Sequence, residues 1–247
     1  MKNLTYLFLF IITASFAQND FERGNEYYQQ GKYKQAISAY ENILKKNQHA
    51  AELYFNLGNC YYKLNQIAPS IYNYEKALIL DPNDVESCNN LKIAQKMIVD
   101  EIKEVPKIGL HKLLHDITSI YHYNTWAWIS VWFSFMFLAF FVGYYFSIAT
   151  RLKRIFFFGM FLWILLLALS IGSAIFEKRN VENEKPAIVF AEIVEIKSEP
   201  QTSSPPSFVL HEGTKVYIKD VVGKWKKIQL ADGTEGWIEA KTIREIK

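Results

Sequence analysis

The chain has 247 residues, of which 50% are hydrophobic, 16% aromatic and 21% charged. That apolar share is high for a protein bathed only in water, so part of the chain is expected to meet another solvent. The net charge is only +3, and residues 18–104 carry 10 Lys and Arg against 12 Asp and Glu, while residues 186–247 carry 9 against 9. Neither stretch has the basic footprint of a nucleic-acid binder, which excludes nucleic acid as a partner.

The amino end reads as an export signal over residues 1–17. Lys2 precedes an apolar run from Leu4 to Ile12, and Ser15-Phe16-Ala17 places small residues three and one before a cut ahead of Gln18. The run is too short to span a bilayer. Residues 18–104 then repeat with a step of 34: Gly24 and Gly58, Tyr27 and Tyr61, Tyr28 and Tyr62, Ile37 and Ile71, Tyr40 and Tyr74 all pair at that offset. In the second copy Tyr54, Leu57, Gly58, Tyr61, Tyr74, Ala77 and Pro82 fall in the order that marks a tetratricopeptide repeat, and the stretch resembles that family. The resemblance implies helical hairpins stacked on one another, with Gly58 letting two helices approach. Copy one has Gln48 where the closing Pro belongs, and Pro69 sits in a first helical turn, where a missing N–H is tolerated. Residues Val85 to Glu104 are expected to form a capping helix.

In this family the first helices of successive repeats line a concave groove. The matching positions here are Phe21, Asn25, Tyr28 and Gln29 in copy one, and Glu52, Phe55, Asn59, Tyr62 and Lys63 in copy two. Rings beside amides suit an extended peptide or a partner helix. Some members grip a terminal carboxylate with paired Lys and Asn residues. Asn25 and Asn56 stand at the Asn places, but Phe21, Glu86 and Asn90 occupy those of the cations, which argues against such a clamp. Cys60 and Cys88 differ in height by about 9 Å even on adjacent helices, which argues against a disulfide and for buried thiols.

Residues 105–124 are expected to form an interfacial amphipathic segment, with Leu110, Leu113, Leu114 and Ile117 on one face. His111 and His115 share a helical spacing with some metal ligands, but no acid lies in a zinc-protease position beside them, so no metal site is expected. Two uncharged runs follow, Trp126 to Ala149 and Ile155 to Phe176, and residues 125–149 and 155–176 are expected to be transmembrane helices. Between them Arg151, Lys153 and Arg154 make residues 150–154 a basic turn that should remain cytoplasmic and set the topology. Ala139, Gly143 and Gly159 lie at similar depth and would let the two helices approach closely. The expected outcome is a two-pass inner-membrane protein with both termini and both soluble regions periplasmic.

A polar linker is expected over residues 177–185, and the period then changes. Ile188 to Ile196 and Lys215 to Ile218 alternate as strands do, and turns fall at Val222-Gly223-Lys224 and Ala231-Asp232-Gly233. Glu199 to Ser207, with three Pro, reads as a long loop. Residues 186–247 resemble a bacterial SH3-type barrel through Gly213, Val216, Trp225, Ile228, Leu230, Asp232-Gly233 and Gly236-Trp237-Ile238. Tyr217 and Trp225 are expected to be its exposed rings and Trp237 to be structural.

The whole order is that of a multidomain membrane protein: all-α tetratricopeptide repeats, a two-helix transmembrane hairpin and a small all-β SH3-like barrel. It resembles the Bat family of Bacteroides aerotolerance proteins. That resemblance implies a subunit of an envelope complex, with membrane proteins carrying von Willebrand A domains as partners, a MoxR-type ATPase acting through them, and a setting in oxygen tolerance. No Gly-rich phosphate loop, nucleophile elbow or paired catalytic residues occur, so no enzymatic activity, catalytic residue or cofactor is expected. Peptidoglycan, bound by the barrel of a cell-wall sensor, is the alternative partner to protein.

Overall fold

The computed structural model describes residues 20–103 and 109–246. The expected export signal, residues 1–17, lies outside them, as do the side chains of His111 and His115. The chain divides into two compact units: one joins the helical repeats to the C-terminal sheet, and the other holds the apolar helices.

In the first unit α1 (residues 20–29), α2 (Tyr33–Lys45), α3 (Ala51–Lys63), α4 (Ile67–Leu80) and α5 (Val85–Gln95) form successive hairpins. Gly31 and Asn65, again 34 apart, adopt φ of 72° and 58° and end α1 and α3, with Lys32 N–H and Gln66 N–H reaching back to the carbonyls of Tyr27 and Tyr61. Close packing rests on two glycines. A Cβ at Gly24 would lie 2.3 Å from Cε1 of Tyr40, and one at Gly58 2.6 Å from the ring of Tyr74, so each tyrosine fills the space that its glycine vacates. Ala36, Tyr40, Ile43, Leu53 and Leu57 are all buried in the core between α2 and α3.

α5 is shorter than the expected capping helix. It ends at Gln95, and residues 100–103 are in neither helix nor strand. The physical reason is a competing set of contacts in the C-terminal sheet, where Ile102 packs against the barrel core and Asp100 finds three donors.

That sheet has seven antiparallel strands: β1 (Pro186–Val189), β2 (Ile193–Lys197), β3 (Pro206–His211), β4 (Lys215–Val222), β5 (Trp225–Gln229), β6 (Glu235–Glu239) and β7 (Ile243–Glu245), in spatial order β3-β2-β6-β5-β4-β1-β7. The single strand expected over Ile188 to Ile196 is two strands broken at residues 190–192, and the expected loop over 199–207 ends earlier because β3 starts at Pro206. Pro206 is tolerated there because β3 is an edge strand and begins with it. β1 is buried along its whole length, which explains the absence of simple alternation: one face enters the barrel through Ala187 and Val189, and the other meets the repeats through Ile188.

Repeats and barrel therefore share a core. Ile188 and Ile246, both 0% exposed, cluster with Ala68, Ile71, Tyr74, Leu91 and Ala94 of α4 and α5. Around this cluster Lys215 Nζ donates to both carboxylate oxygens of Glu75 at 2.8 Å. The Phe190 ring meets Tyr72 edge-on at 5.7 Å and carries the Arg244 guanidinium 4.3 Å above it. Gly213, with φ of 88°, sits where an added Cβ would lie 3.0 Å from Ile67 and 3.2 Å from Ile71 and Ile98. Both the backbone conformation and the space demand glycine at that point.

The second unit comprises α6 (Leu110–Thr118), α7 (Tyr123–Phe146) and α8 (Thr150–Asn183). The latter two are long and apolar enough to cross a membrane. They pair through Gly143 against the Phe156 ring, Gly159 against the Phe140 ring, and a 2.9 Å hydrogen bond between the Ser130 and Ser170 hydroxyls. Trp128, Phe135, Phe158 and Leu169 are exposed along the hairpin.

Two expectations here are corrected. The reversal lies at Ser147–Ala149, where both flanking caps are extended, and Arg151, Lys153 and Arg154 stand in the first turns of α8. Lys and Arg are good helix formers, so the short uncharged triplet breaks the helix instead. The expected polar linker, residues 177–185, is helical as far as Asn183, since nothing before Pro186 stops a helix and Lys178 pairs with Glu182 one turn on at 3.7 Å. At a rise of about 1.5 Å per residue the 34-residue α8 is about 51 Å long, well beyond about 30 Å of hydrocarbon.

Candidate functional site

The repeat architecture builds its concave side from α1, α3 and α5. On the inner seam two identical hydrogen-bond sets recur 34 residues apart. Tyr40 Oη donates to Asn25 Oδ1 at 2.6 Å, and Asn56 Nδ2 donates to the same oxygen at 3.2 Å. One repeat later Tyr74 Oη and Asn90 Nδ2 donate to Asn59 Oδ1 at 2.7 and 2.9 Å. Each set ties three helices together. Burial pushes the Tyr40 and Tyr74 phenols well above their ordinary value, so both remain donors at any physiological pH.

Beside the second set lies a cavity of about 260 Å³ lined by Tyr28, Asn59, Tyr62, Lys63, Tyr74, Asn90 and Ile93. Four of the nine groove residues expected from sequence, Tyr28, Asn59, Tyr62 and Lys63, are brought together here. Its floor is amide and phenol, its walls are tyrosine rings and Ile93, and the Lys63 ammonium stands at an exposed position. Such a lining can hydrogen-bond a peptide backbone or a polar side chain while flanking it with rings.

The other five expected residues are placed differently, with Gln29 exposed on α1. Phe21 lines a separate cleft of about 460 Å³ with Ile43, Gln48, His49, Ala50, Glu52 and Leu53. Asn25 is spent on the seam, and Phe55 packs on Tyr74 with ring centroids 6.2 Å apart. Cys60 and Cys88 are both free; Cys60 is fully buried, and burial pushes its thiol up to about 12, whereas Cys88 is half-buried.

On the barrel, Trp225 is 6% exposed and so is not a surface ring, a correction to the sequence reading. It begins β5 next to the Gly223 turn, with the Lys224 ammonium 5.9 Å from its ring centroid. Trp237 and Tyr217 are half-buried, and Tyr217 shares a face of β4 with Lys215. Among the described residues no cluster of three or more metal-ligating side chains occurs. In the hairpin unit Lys153 Nζ lies 5.9 Å from the Tyr144 ring.

Sequence reasoning missed the contacts centred on Asp100. Its Oδ2 accepts from the His211 backbone N–H and the Thr214 hydroxyl, each at 2.7 Å, and its Oδ1 lies 2.7 Å from His211 Nδ1. Burial alone would raise the Asp100 carboxyl, but these hydrogen bonds outweigh it and hold it below its ordinary 3.8. The contribution to stability is therefore complete above 3.8 and is lost as pH falls through the lower folded value. A loss of amide protection at His211, relative to the intrinsic exchange rate, is expected as the pH falls below 3.8, with no such change in an Asp100→Asn variant. No local pattern advertises Asp100, because its partners lie more than a hundred residues away.

Comparison with known proteins gives the two domain classes. Residues 21–85 match the tetratricopeptide repeat family and residues 194–244 match the bacterial SH3 domain family. Both are modules that typically bind other proteins and are not catalytic. Among curated proteins, sperm-associated antigen 1 of Rattus norvegicus is 39% identical over 75 residues, which is 30% of this chain and 8% of that protein. The Hsp70-Hsp90 organizing protein of Triticum aestivum is 36% identical over 66 residues, 27% of this chain and 11% of that one. The chain thus spans about a tenth of the length of these relatives.

Proposed function

We propose that this chain is a non-enzymatic scaffold subunit of the BatE type, held in the inner membrane by α7 and α8 and presenting repeats and barrel together on the periplasmic side. The observation that carries the scaffold reading is the 260 Å³ cavity on the concave side, lined by residues of α1, α3, α4 and α5 and open to a partner segment. The shared core supports the topology. Residues before the hairpin and after it pack into one body, so the chain between them must start and finish on the same side of any membrane. Two crossings satisfy that condition and one does not. Arg151, Lys153 and Arg154, still adjacent to the reversal, favour the cytoplasmic side for it.

The Bat resemblance names the partners: membrane proteins with von Willebrand A domains, and through them a MoxR-type ATPase, in envelope stress or oxygen tolerance. A peptidoglycan sensor is the weaker reading, because α4 already covers the outer face of β1 at Ile188. The test is recovery of partners from membranes in mild detergent by the full-length protein and by a Lys63→Glu, Ile93→Lys variant, both positions being exposed at the cavity. At least a tenfold loss of co-purifying von Willebrand A proteins is expected. Undiminished recovery by the variant would sink the groove as the working surface, and retention of wall fragments alone would favour the sensor.

A further inference from the structure

β3 is an edge strand, and its outward side is partly occupied by the chain itself. The β2–β3 ladder pairs Ile193 with His211 and Glu195 with Val209, and Glu212 N–H bonds to Glu192 O. That alternation turns the N–H and C=O of His211 and Val209 away from β2. The outward N–H of His211 is taken by Asp100 Oδ2 in place of a neighbouring strand's carbonyl. Two residues on, Ile102 packs against the barrel core together with Phe208, while Glu101 and Lys103 are exposed. Residues 100–103 are thus held on the β3 edge by alternate side chains, Asp100 and Ile102 partly buried and Glu101 and Lys103 exposed, the spacing by which a strand-like ligand is read.

The contacts define what the edge recognises. One position needs a carboxylate, because the His211 amide, the His211 ring and the Thr214 hydroxyl converge on it. The position two further on needs a branched aliphatic side chain of isoleucine size. Neighbouring Val209 is 43% exposed, so apolar strand surface continues along the edge.

We propose that the β3 edge is a recognition site for an extended protein segment of the pattern acid–any–aliphatic, filled in cis by Asp100 and Ile102 and available to a protein partner bearing that pattern when the strap lifts. The proposal deepens the reading of the barrel as a protein-binding module. A tethered ligand works at a high effective concentration, so the free partner competes only weakly until the strap is released. In chain order the strap is followed by α6 and the two apolar helices.

The test uses the full chain in detergent and a fluorescent peptide with the sequence of residues 97–103. Asp100→Ala vacates the cis site, and its peptide affinity is expected to rise at least tenfold over the wild type, read by anisotropy. Asp100→Asn, which keeps the shape and the fold, is expected to give a smaller rise in the same direction. A peptide whose Asp is replaced by Lys should not bind. Equal binding of the peptide by wild type and both variants, or equal binding of the Lys-substituted peptide, would overturn the proposal. Since the peptide reports on the barrel edge and partner recovery reports on the repeat groove, either reading can fail without the other.

Discussion

Ile188→Ala, a change in the barrel, is expected to destabilise the helical repeats. Ile188 is 0% exposed and lies in the cluster with Ile71, Tyr74 and Leu91, so truncation removes apolar contact and leaves a cavity between the two domains. Truncations of this kind cost about 2–5 kcal/mol. The cost should be felt on both sides of the seam, because neither α4 nor β1 has another surface to cover that face. Hydrogen exchange followed by mass spectrometry is the direct check. Amides of α4 and of β1 should accelerate together by roughly 30-fold or more, a factor of ten for each 1.4 kcal/mol. Acceleration confined to the barrel strands would show that repeats and barrel fold independently and that the seam is a passive contact. Glu75 and Lys215 bear on the same point. Glu75 is 9% exposed, and removing Lys215 alone would strand its carboxylate, which costs far more than exchanging the pair for apolar residues.

Gly58→Ala should have an effect of comparable size through a different cause. Its added Cβ would lie 2.6 Å from two ring atoms of Tyr74. The ring cannot retreat easily, because its hydroxyl is bonded to Asn59 and its face packs against Phe55. Either the helices separate or the Tyr74–Asn59–Asn90 set breaks. Overpacking of this kind costs about 1–3 kcal/mol, and loss of the buried hydrogen bond adds about 1 kcal/mol. The cavity at Tyr28, Tyr62 and Lys63 is built on the same floor, so partner recovery should fall along with thermal stability. A second substitution, Tyr74→Leu, relieves the clash and should restore part of the stability but not the hydrogen bonds. If Gly58→Ala alone leaves the melting transition in place, the close approach is not what positions α3 on α4.

The contrast between what was legible and what was not follows the range of the interactions. Spacing within 34 residues was readable because each repeat stacks on the next in the same way: Gly24 with Tyr40, then Gly58 with Tyr74. The two apolar runs were readable because bilayer thickness sets their length, and the Asp232-Gly233 turn because Gly233 takes a φ of 89°. The expected groove residues were half right for a physical reason. Asn25 and Asn59 occupy equivalent places and both serve the seam, but only Asn59 has the open side formed by Tyr62, Asn90 and Ile93. Trp225 looked exposed because the neighbouring Lys224, Lys226 and Lys227 are polar, and the register does put it on the face of β5 opposite the core residue Ile228, yet the ring is 6% exposed. The seam left no periodic trace at all. Ile188 and Lys215 look like ordinary strand residues until α4 is placed against them.

That seam also fixes an order of events during synthesis. Glu75 and Lys215 are 140 positions apart, and at about 5–20 residues per second the ribosome needs roughly 7–28 s to pass from one to the other. During that interval α4 has its inner face packed on α3 and its outer face, with Ile67, Ile71 and Tyr72, still uncovered. The repeats emerge as a half-finished body, and the last strand to be made, carrying Ile246 into the same core, finishes it.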